Sequence, residues 1–275
     1  MPSWNAMRLM LGQAISATAA WLASSAAACI VCGRAHGSHG GGQRAITGLC
    51  SSCTNAIPWI TRIRCAICGR PEACPDCMRR DVTFFTASRS AVRYDETIRE
   101  WLAQYKYRGN ERLAPLLGRF LCSAYDRLIR ELRQTYGDIR FEAVIPVPVS
   151  AERRMERGFN QAEQLSASVA VHAGLPLVHG LVRVRHSGKQ SYKSRIDRIQ
   201  DTKTLFAGEA SVLEQFLRYR LSCTSSSIPL RLLLVDDIYT TGSTVNACAE
   251  AVTTALRRIE PSLSLELYVL TLARS

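Results

Sequence analysis

The chain of 275 residues is 47% hydrophobic and 21% charged, enough apolar material to bury a sizeable core in one domain or two. Its 35 Lys and Arg against 23 Asp and Glu leave a formal charge of +12, which points to polyanionic partners; two zinc-filled four-cysteine sites would lower the figure to about +8. No stretch reaches the ~18 uninterrupted apolar residues of a membrane-spanning helix, and a cytoplasmic protein is expected.

Residues 1–28 place Met7, Leu11, Ile15, Trp21 and Leu22 among many alanines, and the run up to Cys29 faintly matches a lipoprotein cleavage site. A lone Arg8 and the polar interruptions Gln13, Ser16 and Thr18 weigh against a leader. A helix packing on the next module or on a partner is favoured. Eight of the eleven cysteines then form four Cys-x-x-Cys pairs: Cys29/Cys32, Cys50/Cys53, Cys65/Cys68 and Cys74/Cys77. Each pair can close a tight turn that directs two sulfurs at one tetrahedral ion, so four pairs supply two structural zinc sites. Disulfides are disfavoured in a reducing cytosol, and a redox dithiol has no need of four repeats. Pairing in order is simplest, with a cross-braced arrangement left open. His36 and His39 are placed in the Gly-rich loop Gly37–Gly42, although both are ligand types.

Residues 82–92 read as extended, with Phe84 and Phe85 as candidate core. Ile98, Trp101, Leu102 and Tyr105 fall at helical spacing between Tyr94 and Tyr107. Gly109 and Asn110 break that helix from a second one over Glu111–Tyr136. The basic, aromatic turn Lys106–Gly109 is either a phosphate or base contact or a solvated corner. Cys122 falls in the apolar pattern and reads as core. A strand over Phe141–Val147 ends at Pro146 and Pro148, followed by a connection with Arg153, Arg154 and Arg157 and a helix over Gln161–Ala173. The three arginines have the forked geometry to grip a pyrophosphate; a plain surface role fits them equally. Residues 211–228 predict a helix and then a polar loop, and Leu263–Leu272 a final strand. Cys223 and Cys248 carry no functional weight.

Leu232–Val235 is a short continuous apolar run, as expected of a parallel strand buried on both faces. Asp236 and Asp237 follow it, then Thr240, Thr241, Gly242, Ser243 and Thr244 lead into a helix over Val245–Leu256. Hydroxyls and free N–H groups at a helix start cradle an anion, and Gly242 permits close approach or a positive φ. The acid pair suits sugar hydroxyls or Mg2+. This segment resembles the phosphoribosyl-pyrophosphate (PRPP) loop of type I phosphoribosyltransferases. The resemblance implies that Asp236 and Asp237 hold the ribose hydroxyls and that Thr240, Thr241, Gly242, Ser243 and Thr244 hold the 5′-phosphate.

Ile145–Pro148, Arg157–Gln161, Leu181–Arg183, Gln190, Arg198, Phe206 and the acid loop together resemble the ComF family of competence-type proteins. Two positions depart from that family's pattern: Lys193 stands for the usual Leu and Asp201 for the usual Asn, both in the segment His186–Thr204 expected to close over ligand. The resemblance implies an α/β fold, a type I phosphoribosyltransferase-like parallel sheet flanked by helices, over residues 81–275, behind a double zinc ribbon over 29–80. It implies PRPP or a phosphoribosyl nucleotide with Mg2+ as ligand, loop or pyrophosphate contacts from Arg153, Arg157, Asn160, Gln190 and Arg198, and a role in DNA uptake. Single-stranded DNA and uptake-machinery proteins are the implied partners. Two functions remain open from sequence: a pentosyl-transferring enzyme, and a non-enzymatic nucleotide-sensing or DNA- or protein-binding module with a vestigial PRPP site.

Overall fold

The structure, a computed structural model, describes residues 28–35, 46–184, 205–223 and 228–275. The expectations for residues 1–27, His36, His39, Gln190, Arg198 and the segment around Lys193 and Asp201 lie outside the described residues. The chain divides into two compact units, Met1–Ala56 and Ile57–Ser275.

In the first unit Cys29 opens a knuckle. Its carbonyl accepts from the Gly33 N–H at 2.9 Å, where φ is +71°, and a short bridge joins Ala28 to Ala35. Helix α1 (Ser51–Asn55) starts at Cys50, whose sulfur accepts from the Cys53 N–H at 3.5 Å.

The second unit begins with the other cysteine knuckle, where the Gly69 N–H returns to the Cys65 carbonyl at 2.9 Å, and continues through α2 (Pro75–Met78). Strand β1 (Ala87–Arg93) is buried except at its last residue. The expected extended segment starts earlier. Residues 82–86 are held instead by single bonds, Phe84 N–H to the Asn246 side chain and Thr86 N–H to the Leu267 carbonyl. Helix α3 (Glu96–Tyr107) is capped by Asp95 and buries the four residues the periodicity singles out. The long α4 (Leu113–Tyr136) carries an apolar stripe from Leu113 to Leu132 and ends at Gly137.

Strand β2 (Ala143–Pro146) is followed by α5 (Ala151–Arg157), a helix where the sequence suggests only a connection; Ser150 caps its start and Gly158, at φ +78°, ends it. Helix α6 (Gln161–Ala173) has its expected bounds and is capped by Asn160. Strands β3 (Leu181–Arg183) and β4 (Phe206–Gly208) form a small antiparallel pair, and α7 (Ala210–Cys223) follows. Strand β5 (Leu230–Tyr239), helix α8 (Ser243–Ile259) and strand β6 (Leu265–Arg274) complete the unit.

The main sheet runs in the order β1-β6-β5-β2, with every pairing parallel. Alternation along β5 divides its side chains between two faces. Leu232 and Leu234 share one apolar cluster with Ile145 of β2, Val269 of β6 and Val245, Cys248 and Val252 of α8. Helices α4 and α6 cover the other face, where β1, β2 and β5 lie against them. Parallel strands buried on both faces have this apolar character because no face is left to water. The fold class is the expected one, a parallel sheet flanked by helices beside cysteine groups suited to metal.

Candidate functional site

The crevice forms where strands end unevenly. Strand β2 stops at Pro146, paired with Val235, while β5 runs on beside β6 to Tyr239, paired with Arg274. Asp236 and Asp237 therefore lie inside the strand rather than after it, with their β2 side open at the carboxyl edge. Ligands of open α/β sheets bind outside that edge.

Strand alternation gives the two carboxylates different surroundings. Asp237 makes an ion pair with Lys106 Nζ from the last turn of α3, and both side chains are largely buried. Its charge also acts on Tyr105, whose hydroxyl is pushed up by burial first and by Asp237 second. Asp236 lies over α8, where burial drives the Cys248 thiol far up and Asp236 adds to it. Burial, with the charge of Asp237 behind it, pushes Asp236 up to about 8; the Asp237 N–H, donating to Asp236 Oδ1 at 2.8 Å, and Lys106 pull the other way. Burial thus favours the protonated form of Asp236, beside the ion pair of Asp237 with Lys106.

The anion loop follows directly. Gly242 caps α8 with φ +80° and has no side chain to bond the helix start; the Ser243 N–H donates to Thr241 Oγ1 at 3.4 Å. The first N–H groups of a helix have no intrahelical acceptor, so those beyond Ser243 stay available to a ligand. Thr241 Oγ1 and Ser243 Oγ lie 3.0 Å apart, and Thr240, Thr241 and Thr244 are exposed. A side chain at Gly242 would bring its Cβ to 2.1 Å from the hydroxyl of Tyr239. Glycine is required by the ring beneath the loop as well as by φ, a reason the sequence did not contain.

The remaining expected contacts fall into two groups. Arg157 donates to Gln161 Oε1 at 2.8 Å and to Tyr107 Oη at 2.7 Å, with its guanidinium 4.9 Å from the centre of the Tyr107 ring. Arg157 is thus tied to the exposed Tyr107, the residue after Lys106. Arg153 is exposed on α5, near Arg183 of β3, whose pKa burial lowers and Arg153 lowers further. Asn160 is buried. It caps α6 through the Ala162 N–H at 3.1 Å and donates to the Val147 carbonyl at 3.2 Å, which ties the end of β2 to α6. Lys106 is the site residue that sequence reasoning did not place. Its signal was the basic-aromatic turn, but only the fold brings that turn to Asp237.

The cysteines gather in order, Cys29, Cys32, Cys50 and Cys53 in one tetrad and Cys65, Cys68, Cys74 and Cys77 in the other, with the ligand atoms of each within 4.8 Å of one another. Four sulfurs at ~2.3 Å from a tetrahedral zinc stand about 3.8 Å apart. The Cys32–Cys50 and Cys68–Cys74 separations of 3.7 and 3.4 Å fit such an ion. Among the described residues no helix is long and apolar enough to cross a membrane.

This is a parallel α/β chain with an acid pair and an anion loop at the sheet's carboxyl edge and two zinc-type cysteine tetrads. No family model matches it. It is 29% identical over 215 residues to competence protein ComFC of Bacillus subtilis, covering 73% of this chain and 76% of that protein. Competence protein F of Haemophilus influenzae is 28% identical over 72% of this chain and 81% of its own length. The DNA utilization protein YhgH of Salmonella typhimurium is 26% identical over 74% and 83%. The chain resembles these competence proteins, as its motifs implied. Solved structures align less closely. The allosteric regulatory enzyme of purine biosynthesis gives a TM-score of 0.34 at 16% identity, over 62% of this chain and 29% of that one. Adenine phosphoribosyltransferase from Saccharomyces cerevisiae gives 0.30 at 16%, over 57% and 68%. At such scores neither carries weight, and the fold class rests on the topology above.

Proposed function

We propose that the chain binds PRPP or a 5-phosphoribosyl nucleotide at the carboxyl edge of β5, and that it serves a cytoplasmic step of DNA uptake. The observation that carries this is the adjacency of two opposite requirements: an acid pair with Lys106 at the end of β5, and a glycine-capped helix start immediately after it. Carboxylates repel a bare anion, so a plain phosphate loop gives no reason for them; a phosphosugar engages both halves. Asp236 and Asp237 take the ribose hydroxyls or Mg2+, and Thr240–Thr244 take the 5′-phosphate. Arg157, at the α5–α6 corner beside the exposed Tyr107, and Arg153 on α5 would take a pyrophosphate arm, as the resemblance implies. Gln190 and Arg198 keep the loop roles that the resemblance implies. Residues 29–80 act as a double zinc ribbon and 81–275 as the phosphoribosyltransferase-like domain. Mg2+ bound with a pyrophosphate would neutralise a leaving group at C1, and the protein groups would position the partners and stabilise charge.

A second reading, a non-enzymatic nucleotide or single-stranded DNA module, is favoured by Lys106, which already supplies the acid pair with a counter-ion. The relatives titled DNA utilization protein and the +12 charge point the same way. Calorimetry with PRPP and Mg2+ tests the ligand. Asp236→Asn with Asp237→Asn should weaken PRPP by at least about tenfold while sparing inorganic phosphate. A wild-type protein that takes up neither PRPP nor ribose 5-phosphate at millimolar concentration overturns the assignment. Turnover of PRPP with a panel of bases and amines separates the enzyme from the binding module.

A further inference from the structure

The underside of the anion loop is held from the second cysteine tetrad. Arg274, at the end of β6, is 3% exposed. Its Nη1 donates to the carbonyls of Tyr239 at 3.1 Å and Thr240 at 2.7 Å, and also to Ser275 O; its Nη2 donates to Cys68 Sγ at 3.5 Å. The same guanidinium lies 4.5 Å from the centre of the Tyr239 ring, the ring that touches Gly242. Arg80, three residues after Cys77, donates to the Thr241 carbonyl and to the Tyr239 hydroxyl. Three successive carbonyls of the loop are therefore fixed by two arginines, one bonded to a tetrad sulfur and one carried on the tetrad's own chain. With those carbonyls turned to the arginines, the loop's N–H groups and hydroxyls are left for an anion.

The electrostatics set the direction of control. A buried guanidinium is costly without a counter-charge. Among the described residues no side-chain carboxylate pairs with Arg274; the groups near it that can carry negative charge are Cys68 Sγ and Ser275 O, on the last residue of the sequence as given, and its Nε is buried without a partner. A zinc held by four thiolates carries a net charge of about −2, and a thiolate accepts a charge-assisted hydrogen bond well. A neutral thiol carries no charge and accepts a hydrogen bond only weakly.

We propose that the metal-filled second tetrad supplies a counter-charge that locks Arg274, beside the Ser275 O contact, and that Arg274 with Arg80 thereby sets the shape of the Thr240–Thr244 loop. The first tetrad has no part in this. The ribbon is then a positioning element for the loop, and metal loss at Cys65–Cys77 loosens the loop before it disturbs the sheet. The coupling goes beyond the ligand assignment and does not depend on it.

Amide hydrogen exchange on the full chain without ligand reads the coupling directly. Cys77→Ser, which empties the second tetrad, should speed exchange over residues 240–245 by about tenfold or more, leaving α4 protected. Cys53→Ser, which empties the first, should leave that segment unchanged. Should Cys77→Ser unfold the unit, Arg80→Gln and Arg274→Gln decide. Both should retain two zincs and show the faster loop exchange, with a parallel loss of affinity for inorganic phosphate. Equal loop exchange in wild type and in a zinc-loaded Arg80→Gln or Arg274→Gln protein overturns the proposal, as does an effect of Cys53→Ser equal to that of Cys77→Ser. A wild type that binds no phosphate or ribose 5-phosphate would end the ligand assignment, while the exchange data would still decide the coupling.

Discussion

Asp236 and Asp237 are neighbours in sequence, but the strand hands one to α8 and the other to α3. Asp236, pushed up to about 8 by burial and by Asp237, holds a proton that the unfolded chain gives up near pH 4. Between those values the folded state binds more protons, so the residue's contribution to stability is full at low pH and falls as pH rises towards 8. Asp236→Asn keeps the shape and removes the titration. The variant should unfold at a higher temperature than wild type at pH 8.5, by about 1 kcal/mol or more, with a smaller difference at pH 6. An equal difference at both pH values would show that Asp236 is charged throughout. The two acids and the hydroxyl-rich loop were legible because their types and spacing have one economical use. Lys106 was not, because its partner lies 131 positions away in sequence and only the folded chain brings the end of α3 to Asp237.

At the scale of elements, the long helices were readable and the edges were not. Helix α3 announces itself through Ile98, Trp101, Leu102 and Tyr105, and all four are buried. Strand β5 extends beyond its apolar run because pairing with β6 continues through Asp236 to Tyr239, and hydrogen bonds to a neighbouring strand leave no mark on hydropathy. Helix α5 escaped notice because its seven residues bury none of their side chains and so show no periodicity; only its end signals, Ser150 and Gly158, were present. The loop between β5 and α8 gives a matched pair of tests. Gly242 and Gly109 both have positive φ, but a Cβ at Gly109 meets nothing within 4 Å, whereas at Gly242 it meets the buried Tyr239 ring. Gly109→Ala should cost about 1 kcal/mol, the backbone term alone. Gly242→Ala should cost at least about 2 kcal/mol and abolish phosphate binding, because the ring is held by Arg80 and Arg274 and cannot yield. Similar unfolding midpoints for the two variants would contradict the packing described beneath the loop.

For the whole molecule, the cysteines are the most legible feature and their placement the least. Four Cys-x-x-Cys pairs announce two four-cysteine sites from spacing alone, and the tetrads form in sequence order. That the second tetrad would lie in the same compact unit as the sheet, with Cys68 and Cys74 in one apolar cluster with β5 and α8, no spacing could reveal. Purified protein should contain about two zincs per chain by elemental analysis. Cys29→Ser should lower that to about one and leave the main thermal transition, which belongs to Ile57–Ser275, within a few degrees of wild type. A main transition that collapses with Cys29→Ser would mean that the two units do not unfold separately.

The strand order has a consequence for how the chain comes together in time. Strand β6, last in the sequence, stands between β1 and β5, so β1 has no partner in the main sheet until β6 arrives. The two meet across a span of 181 residues at the Ser90–Thr271 contact. Closing so long a loop is slow and brings no reward until it is finished. During synthesis, β2 and β5 can pair as a two-stranded fragment while β1, bonded on one edge to Pro58, Ile60 and Ile67, waits with its β6 edge bare, the state in which strands join other chains. The arrival of β6 joins the halves of the sheet, and with Arg274 it brings the last tie to the anion loop. A half-made chain therefore has the acid pair and the Thr-Gly-Ser sequence in hand, but no fixed place to hold an anion.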